Sequence, residues 1–421
     1  MAALRHLLQK LLPRHVYRML LLPYHFAWTL GAALYYRFPA RKLTVIGVTG
    51  TKGKSSVSEM MHAVLMANGH KTALSSTIHF VIGDSARPNK FKMTLPGRGF
   101  IQKFLREAVQ AGATHAVIEI TSESALQYRH LFLDLDALIF TGLEKEHLES
   151  HGSMEKYLAA KMRIGTALVR SPKRPRIVVA TADNAYGTHF LALPVEKQIS
   201  FSVSDVQELT LASISVSYTY KDTSFTVPHP GEFSVRNALS VTKLAETLGV
   251  PLSVCAQGLA SLKTISGRAE RIEQGQPFLA VVDYAHTPDS LEALYKAYEG
   301  KRKVCVLGNT GGGRDTWKRP EMGRIADTYC DEVILTDEDP YDENPNEIVQ
   351  AMAQGMKRAP QIVMDRREAI GLALRTATAG DVVLITGKGT DPYIMRAHGE
   401  KEVWSDAQVV REELEKLRGV S

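Results

Sequence analysis

The chain has 421 residues, of which 44% are hydrophobic and 23% charged, a composition that excludes a disordered or fibrous protein and a length that exceeds one hydrophobic core. The net charge of +6 is unevenly placed: residues 1–42 carry seven basic side chains and no acidic one, and the remainder holds 44 basic against 45 acidic residues, which argues against a nucleic-acid partner. Three cysteines, Cys255, Cys305 and Cys330, form no CxxC pair and have no histidine at ligand spacing, so neither a disulfide framework nor a zinc ribbon is expected, and a reducing compartment fits best.

In chain order, the basic segment 1–42 contains an apolar run from Met19 to Tyr36, interrupted by Pro23 and His25 and bracketed by Arg14, Arg18, Arg37 and Arg41. Three readings stay open: a helix lying on a membrane surface or packed on the body, a membrane-spanning anchor for which the run is short, and a cleaved signal. The body is expected to fold without this segment, because the first strand begins only at Leu43.

From Leu43 onward β-branched runs alternate with helical patterns, which predicts an α/β fold with a parallel sheet. Strands are expected at Leu43–Val48, His115–Ile120 and Ala137–Thr141, with a helix over Ser55–Asn68. Gln198–Val227 alternates as antiparallel strands would, with Ile214, Val216, Tyr218 and Tyr220 on one face, and a helix is expected over Asn237–Leu248. A second α/β pattern has strands at Leu279–Asp283, Lys303–Leu307, Glu332–Thr336 and Asp381–Thr386. The expected organisation is a segment 1–42, a central phosphate-loop parallel-sheet domain over 43–265, and a C-terminal Rossmann-like α/β domain over 266–421, joined at Lys263–Gly267.

The strongest local signal is Gly50-Thr51-Lys52-Gly53-Lys54-Ser55-Ser56 between a strand and a helix. Glycines let backbone N–H groups face phosphate oxygens, the helix N-terminus adds partial positive charge, Lys54 reaches the terminal phosphates and Ser55 can ligate magnesium. Val48 stands where the general phosphate loop has its first glycine. Glu119 ends an apolar strand and would bring a hard oxygen ligand to the same sheet edge. By themselves, His147 in the charged run Thr141–Gly152 and Lys161 on the following helix read as ordinary surface residues.

The order of these elements resembles the Mur ligase family, ATP-dependent amide-bond synthetases of peptidoglycan assembly, and most closely its muramyl-tripeptide branch. The resemblance covers about residues 43–421 and rests on Gly50–Ser55, Glu119 to Arg129, Thr141–Gly152 with Lys161, Gly267-Arg268-Ala269-Glu270, Asp283–Asp289, Arg314-Asp315 with Lys318-Arg319-Pro320, and Gly387-Lys388-Gly389. It implies that Ser55 and Glu119 hold one magnesium ion, that His147 with Glu119 holds a second, and that Lys161 is carbamylated and supports the second ion. Lys54, Glu119, His147 and Lys161 become the catalytic set. Asn237 would face the adenine, and Arg268, Asp283, His286 and Lys318 would complete the nucleotide site, which domain closure would assemble. Thr94, Thr121, Gln127 and Arg129 match acceptor-contacting positions, and Arg314 matches the arginine that holds the α-carboxylate of the incoming amino acid.

The chain also departs from that family. Residues 1–42 stand in place of the usual domain that grips uridine diphosphate, Gly142 replaces an asparagine and Glu123 a histidine. Glu338-Asp339-Pro340-Tyr341 stands where diaminopimelate-adding members have Asp-Asn-Pro-Arg, and Thr390-Asp391 follows Gly387-Lys388-Gly389 where His-Glu is usual. An acidic set of Glu338, Asp339 and Asp391 beside Tyr341 predicts L-lysine or another basic amino acid rather than diaminopimelate. The expected function is ATP-dependent addition of a diamino acid to a muramyl-peptide carboxylate in the cytoplasm, with contact between residues 1–42 and the inner membrane face. The alternatives are another ligase of this fold acting on a lipid-linked or non-UDP acceptor and a weakly catalytic membrane-associated nucleotide-binding scaffold. The sequence sets no oligomeric state.

Overall fold

The computed structural model describes residues 14–91, 93–97, 99–146, 151–313 and 315–419, with side chains from Leu21 onward. Two of the expected site residues, His147 and Arg314, lie outside the described residues. The chain forms two compact units: the first comprises the chain up to Leu143 with Met154–Ser202 and Ser240–Cys255, and the second comprises Glu144–Ser153, Val203–Leu239 and Ala256 onward.

The first unit is built on an eight-stranded sheet of β1 (Thr44–Thr49), β2 (Thr72–Ser75), β3 (His79–Ile82), β4 (Ser85–Pro88), β5 (His115–Glu119), β6 (Ala137–Phe140), β7 (Ile177–Thr181) and β8 (Lys197–Phe201). Its order is β4-β3-β2-β5-β1-β6-β7-β8, with the β2 to β8 portion parallel and β3 and β4 attached as an antiparallel edge. Successive side chains of a strand face opposite ways, and here both faces are covered. Val45, Ala116, Ile118, Leu138, Phe140 and Val178 enter one core, while Ile46, Val48, Val117, Ile139 and Val179 are fully buried on the other side. The helix Lys54–Ala67 buries Val57, Met60, Met61, Val64 and Leu65, the three- and four-residue spacing of one helix face.

The second unit holds a six-stranded sheet of β12 (Glu270–Ile272), β13 (Leu279–Asp283), β14 (Lys303–Leu307), β15 (Glu332–Leu335), β16 (Gln361–Ile362) and β17 (Val382–Thr386), in the order β12-β13-β17-β14-β15-β16. All its pairings are parallel except β12 with β13. Alternate residues again feed two cores, Val281, Cys305, Leu307 and Leu384 on one side and Val282, Val304, Val306 and Ile385 on the other. The unit also contains the antiparallel sheet β11-β10-β9, of β9 (Gln207–Leu211), β10 (Val216–Tyr220) and β11 (Thr223–Val227), and the hairpin of β18 (Tyr393–Met395) with β19 (Lys401–Val403).

Four expectations need correction. Lys197–Phe201 is a parallel strand of the large sheet rather than part of an antiparallel set. Ile214 lies between β9 and β10 and is exposed, whereas Val216, Tyr218 and Tyr220 share the buried face of β10. The helix expected from Asn237 begins at Glu232. Cys305 and Cys330 form a disulfide with Cα atoms 6.2 Å apart, and Cys255 is free and buried. A separation of 25 residues carries no pairing signal, but Cys330 closes the helix Lys318–Tyr329 just before β15, which runs beside β14 and Cys305.

The N-terminal apolar run belongs to the helix Arg14–Tyr35, which contains Pro23. Among the described residues no helix is long and apolar enough to cross a membrane. The inner side of this helix packs on the first unit: Thr29, Ala32 and Ala33 are buried, and the Phe26 ring lies 6.2 Å from the rings of Tyr128 and Phe132. Pro39 and Ala40, in the short turn that follows, are buried too, so the body does not begin cleanly at Leu43.

Candidate active site

In the first unit the C-terminal ends of three adjacent strands converge. Val48 of β1 pairs with Glu119 of β5, and Thr49 pairs with Phe140 of β6. The chain leaves β1 through the glycine loop and enters the helix at Lys54, with Gly53 at φ 79° as the residue before it. Gly50, at φ 151°, lies so near the next strand end that a Cβ atom would fall 2.0 Å from Thr141 Oγ1. The loop is pinned there: the Thr51 N–H donates to the Gly142 carbonyl at 2.8 Å, and the Thr141 hydroxyl donates to the Lys52 carbonyl at 2.5 Å. Lys54 Nζ donates to the Thr51 carbonyl at 2.8 Å, folding the lysine over the loop, and Ser56 takes the third position of the helix.

Glu119 is almost fully buried, and its Oε2 accepts from the Ser55 hydroxyl at 3.1 Å and from the Thr77 N–H at 2.8 Å. A hydroxyl against a carboxylate at a phosphate-loop edge is a hard-oxygen donor set, which fits magnesium, an ion that takes few protein ligands and completes its shell with water and phosphate. Lys161, 1% exposed on the helix Met154–Val169, donates to the Gly50 carbonyl at 2.6 Å and lies 4.9 Å from the centroid of the Tyr157 ring. The Tyr157 hydroxyl is 3.2 Å from that of Thr51. The structure therefore brings Gly50–Ser55, Glu119 and Lys161 to one edge. Thr77, Thr141 and Tyr157 are participants that sequence reading missed; a threonine ending a strand next to a glycine loop was the available clue for Thr141.

The expected acceptor positions flank this edge. The Thr94 hydroxyl is 2.8 Å from that of Thr77, which ties it to Glu119 through one residue. Thr121 caps the helix Ser122–Leu126 by accepting from the Ser124 N–H. Arg129 donates to the side chain of Gln127 and, at 2.7 Å, to the Leu95 carbonyl, and burial pulls its guanidinium below the usual arginine range.

Of the expected residues of the second unit, Arg268, Asp283 and His286 gather at the end of β13, which runs beside β17. Asp283 accepts from the N–H groups of Ala269 and Ala285, both at 2.6 Å, and its burial pushes the carboxyl above the usual aspartate range against the opposing pull of Arg268. The Arg268 guanidinium lies 4.6 Å from the centre of the Tyr284 ring. His286 Nδ1 faces the Tyr284 carbonyl at 2.6 Å and its Nε2 faces Glu146 Oε1 at 3.0 Å. Asn237 lies on the helix Glu232–Thr247, and Lys318 is buried at the first turn of its helix. Gly267, Gly387 and Gly389 permit close approach here, since a Cβ on Gly389 would fall 2.7 Å from that of Tyr284 and one on Gly387 2.2 Å from Glu338 Oε2.

The three acids at this edge are not equivalent. Asp339 accepts from the wholly buried Lys388 Nζ at 2.8 Å and from the Met395 N–H at 2.7 Å, and Asp391 lies 3.6 Å from the same ammonium. Glu338 accepts from the Thr310 hydroxyl at 2.8 Å through Oε1, and its Oε2 is buried without a hydrogen-bond partner among the described residues. Tyr341 borders a surface cavity whose arginine, Arg396, is engaged by Asp337 and by Glu402. The arrangement is that of a phosphate-loop α/β enzyme with a second, Rossmann-like α/β unit.

The chain matches the Mur ligase middle domain over residues 48–245 and the Mur ligase glutamate ligase domain over residues 267–389. It is 35% identical over 397 residues to the "UDP-N-acetylmuramoyl-L-alanyl-D-glutamate--2,6-diaminopimelate ligase" of Caldanaerobacter subterraneus subsp. tengcongensis, covering 90% of this chain and 80% of the relative. It is 34% identical over 415 residues to the "UDP-N-acetylmuramyl-tripeptide synthetase" of Roseiflexus sp., covering 92% and 81%. A solved structure of a UDP-N-acetylmuramoyl-L-alanyl-D-glutamate–2,6-diaminopimelate ligase superposes with a TM-score of 0.62 at 28% identity, covering 89% of this chain and 79% of that one. The folylpolyglutamate synthase of Mycobacterium tuberculosis, with a TM-score of 0.70 at 16% identity and 87% and 93% coverage, shares the fold. The chain belongs to the Mur ligase family, whose members in general require magnesium, and it is an ATP-dependent ligase.

Proposed function

We propose that this ligase joins a diamino acid to the carboxylate of a muramyl-peptide acceptor, with ATP cleaved to ADP and phosphate, in peptidoglycan precursor synthesis. The observation that carries the reading is the convergence of the phosphate loop, Ser55, Glu119 and Lys161 at one sheet edge. A carboxylate is a poor electrophile; its oxygen attacks the γ-phosphorus of ATP, ADP leaves, and an acyl phosphate forms. The amine then adds to the acyl carbon, and the tetrahedral intermediate collapses with loss of phosphate and a proton. No side chain serves as nucleophile, and the protein's part is positioning and charge stabilisation.

In this reading Gly50, Thr51, Lys52, Gly53, Lys54, Ser55 and Ser56 cradle the phosphates, while Asn237, Arg268, Asp283, His286 and Lys318 hold the nucleoside. Two magnesium ions would be held by Ser55, Glu119, His147 and a carbamate on Lys161, and they would withdraw charge from the phosphoryl oxygens. Thr94, Thr121, Gln127 and Arg129 face the acceptor. Arg314 takes the α-carboxylate of the amino acid, and Tyr341, Gly387, Glu338, Asp339 and Asp391 surround its far end. Because Lys388 neutralises Asp339 and borders Asp391, Glu338 is the acid left for an ammonium. The working domains are 43–265 and 266–421, and ATP supply sets the reaction in the cytoplasm.

Phosphate release measured with UDP-linked and lipid-linked muramyl-peptide acceptors, across a panel of amino acids, tests this proposal. Release that needs both an acceptor and an amine supports it; release indifferent to both overturns it in favour of a nucleotide-binding scaffold.

A further inference from the structure

Beyond its active site, one face of the N-terminal helix is exposed and apolar among the described residues. The helix Arg14–Tyr35 buries Thr29, Ala32 and Ala33, and a Cβ added at Gly99 would meet that of Ala32 at 2.8 Å. Its opposite face presents Ala27, Trp28, Gly31, Leu34 and Tyr35, with Trp28 38%, Leu34 57% and Tyr35 79% exposed, and none of the described residues comes within 4 Å of the position a Gly31 side chain would take. No Asp, Glu, Lys or Arg occurs between Met19 and Tyr36, so this outer face has none of the charge that a solvent-facing helix normally carries.

The charge lies at the two ends of the run. Arg14 and Arg18 precede it, and Arg37, Arg41 and Lys42 follow it, the last three exposed. With Arg5 and Lys10, the first 42 residues carry seven cations and no acid. Tryptophan and tyrosine settle at the level of lipid headgroups, and flanking arginines and lysines meet lipid phosphates. A second copy of the chain is a poor occupant, because it would set seven cations against seven.

We propose that this outer face docks the ligase on an anionic lipid surface, with the helix lying along the interface. A spanning arrangement does not fit, because the inner side of the helix is already packed on protein.

Sedimentation of the full-length chain with vesicles of phosphatidylglycerol and phosphatidylcholine, compared with phosphatidylcholine alone, tests this. Binding is expected only with the anionic lipid and should weaken with salt. The pair Leu34→Glu and Tyr35→Glu should lower the bound fraction by about tenfold or more while ATP turnover is retained, which also reports that the variant is folded. Trp28→Ser supplies an independent second variant with the same expected loss. Absence of vesicle binding by the wild-type chain, or equal binding by the variants, overturns the proposal. So does a wild-type dimer that these substitutions make monomeric without any vesicle binding, since the face would then belong to a second copy.

Discussion

Lys161 Nζ donates a 2.6 Å hydrogen bond to the carbonyl of Gly50, tying a helix to the phosphate loop across 111 residues of sequence. The lysine is 1% exposed and ranks among the largest fully buried side chains of the described residues. Burial of an ammonium is costly, and hydrogen bonds and neighbouring groups must offset it. The carbamate proposed on this lysine would keep one N–H for Gly50 and add a carboxylate for metal.

Lys161→Ala is therefore expected to reduce kcat by roughly 100-fold or more, in the range seen when a transition-state charge stabiliser is lost, with ATP affinity largely kept. A short carboxylate such as acetate should restore part of the activity by supplying the missing oxygens. Full activity of the variant without additives removes the carbamate assignment.

Amino-acid selection should turn on Tyr341. A distal carboxylate, as in diaminopimelate, is best held by the paired donors of an arginine, and a phenol offers one hydroxyl. Arg396, the arginine of the neighbouring cavity, is occupied by Asp337 and Glu402. A carboxylate left unpaired there costs on the order of 2 kcal/mol, so kcat/KM should favour L-lysine over meso-diaminopimelate by about tenfold or more. Tyr341→Arg should move the ratio toward diaminopimelate. A clear wild-type preference for diaminopimelate, the amino acid named in several relatives, sinks the idea.

Removal of residues 1–40 should destabilise the chain rather than leave it unaffected. It strips Thr29, Ala32, Ala33, Pro39 and Ala40 from buried positions and uncovers the Phe132 ring. A loss of about 2 kcal/mol or more is expected from that apolar surface, read as a lower unfolding midpoint in urea. An unchanged midpoint contradicts the packing of this helix on the body.

Stability should fall in mild acid. Burial holds His130 at a pKa of about 4, helped by the charge of Arg163, and holds His229 at about 4 against the raising effect of its bond to the Leu262 carbonyl. Unfolded, both titrate near the ordinary histidine value of about 6.5. Between those values the unfolded chain binds more protons, so their contribution is complete above about pH 6.5 and is lost as pH falls toward about 4, by roughly 3 kcal/mol for each histidine. Urea midpoints measured across that range should decline, and His130→Gln and His229→Gln should each flatten the slope.

The sequence by itself determined the features whose cause is local. A β-branched run, glycines and then Lys54-Ser55 set a strand, a phosphate-binding turn and a helix start without reference to the rest of the chain. The short, continuously apolar runs ending in Glu119 and Asp283 likewise located those strand ends, because a buried strand and the acidic residue that closes it are adjacent in sequence. Only the tertiary structure decided which distant groups meet. The sheet order sets β1 between β5 and β6, and that order gives Ser55 its partner Glu119, Gly50 its neighbour Thr141 and Lys161 its place beneath the loop. The pairing of Lys388 with Asp339, the Cys305–Cys330 bond and the burial of one side of the N-terminal helix have the same origin. Each depends on contacts between segments far apart in sequence, and local propensity carries no record of which strand will lie beside which.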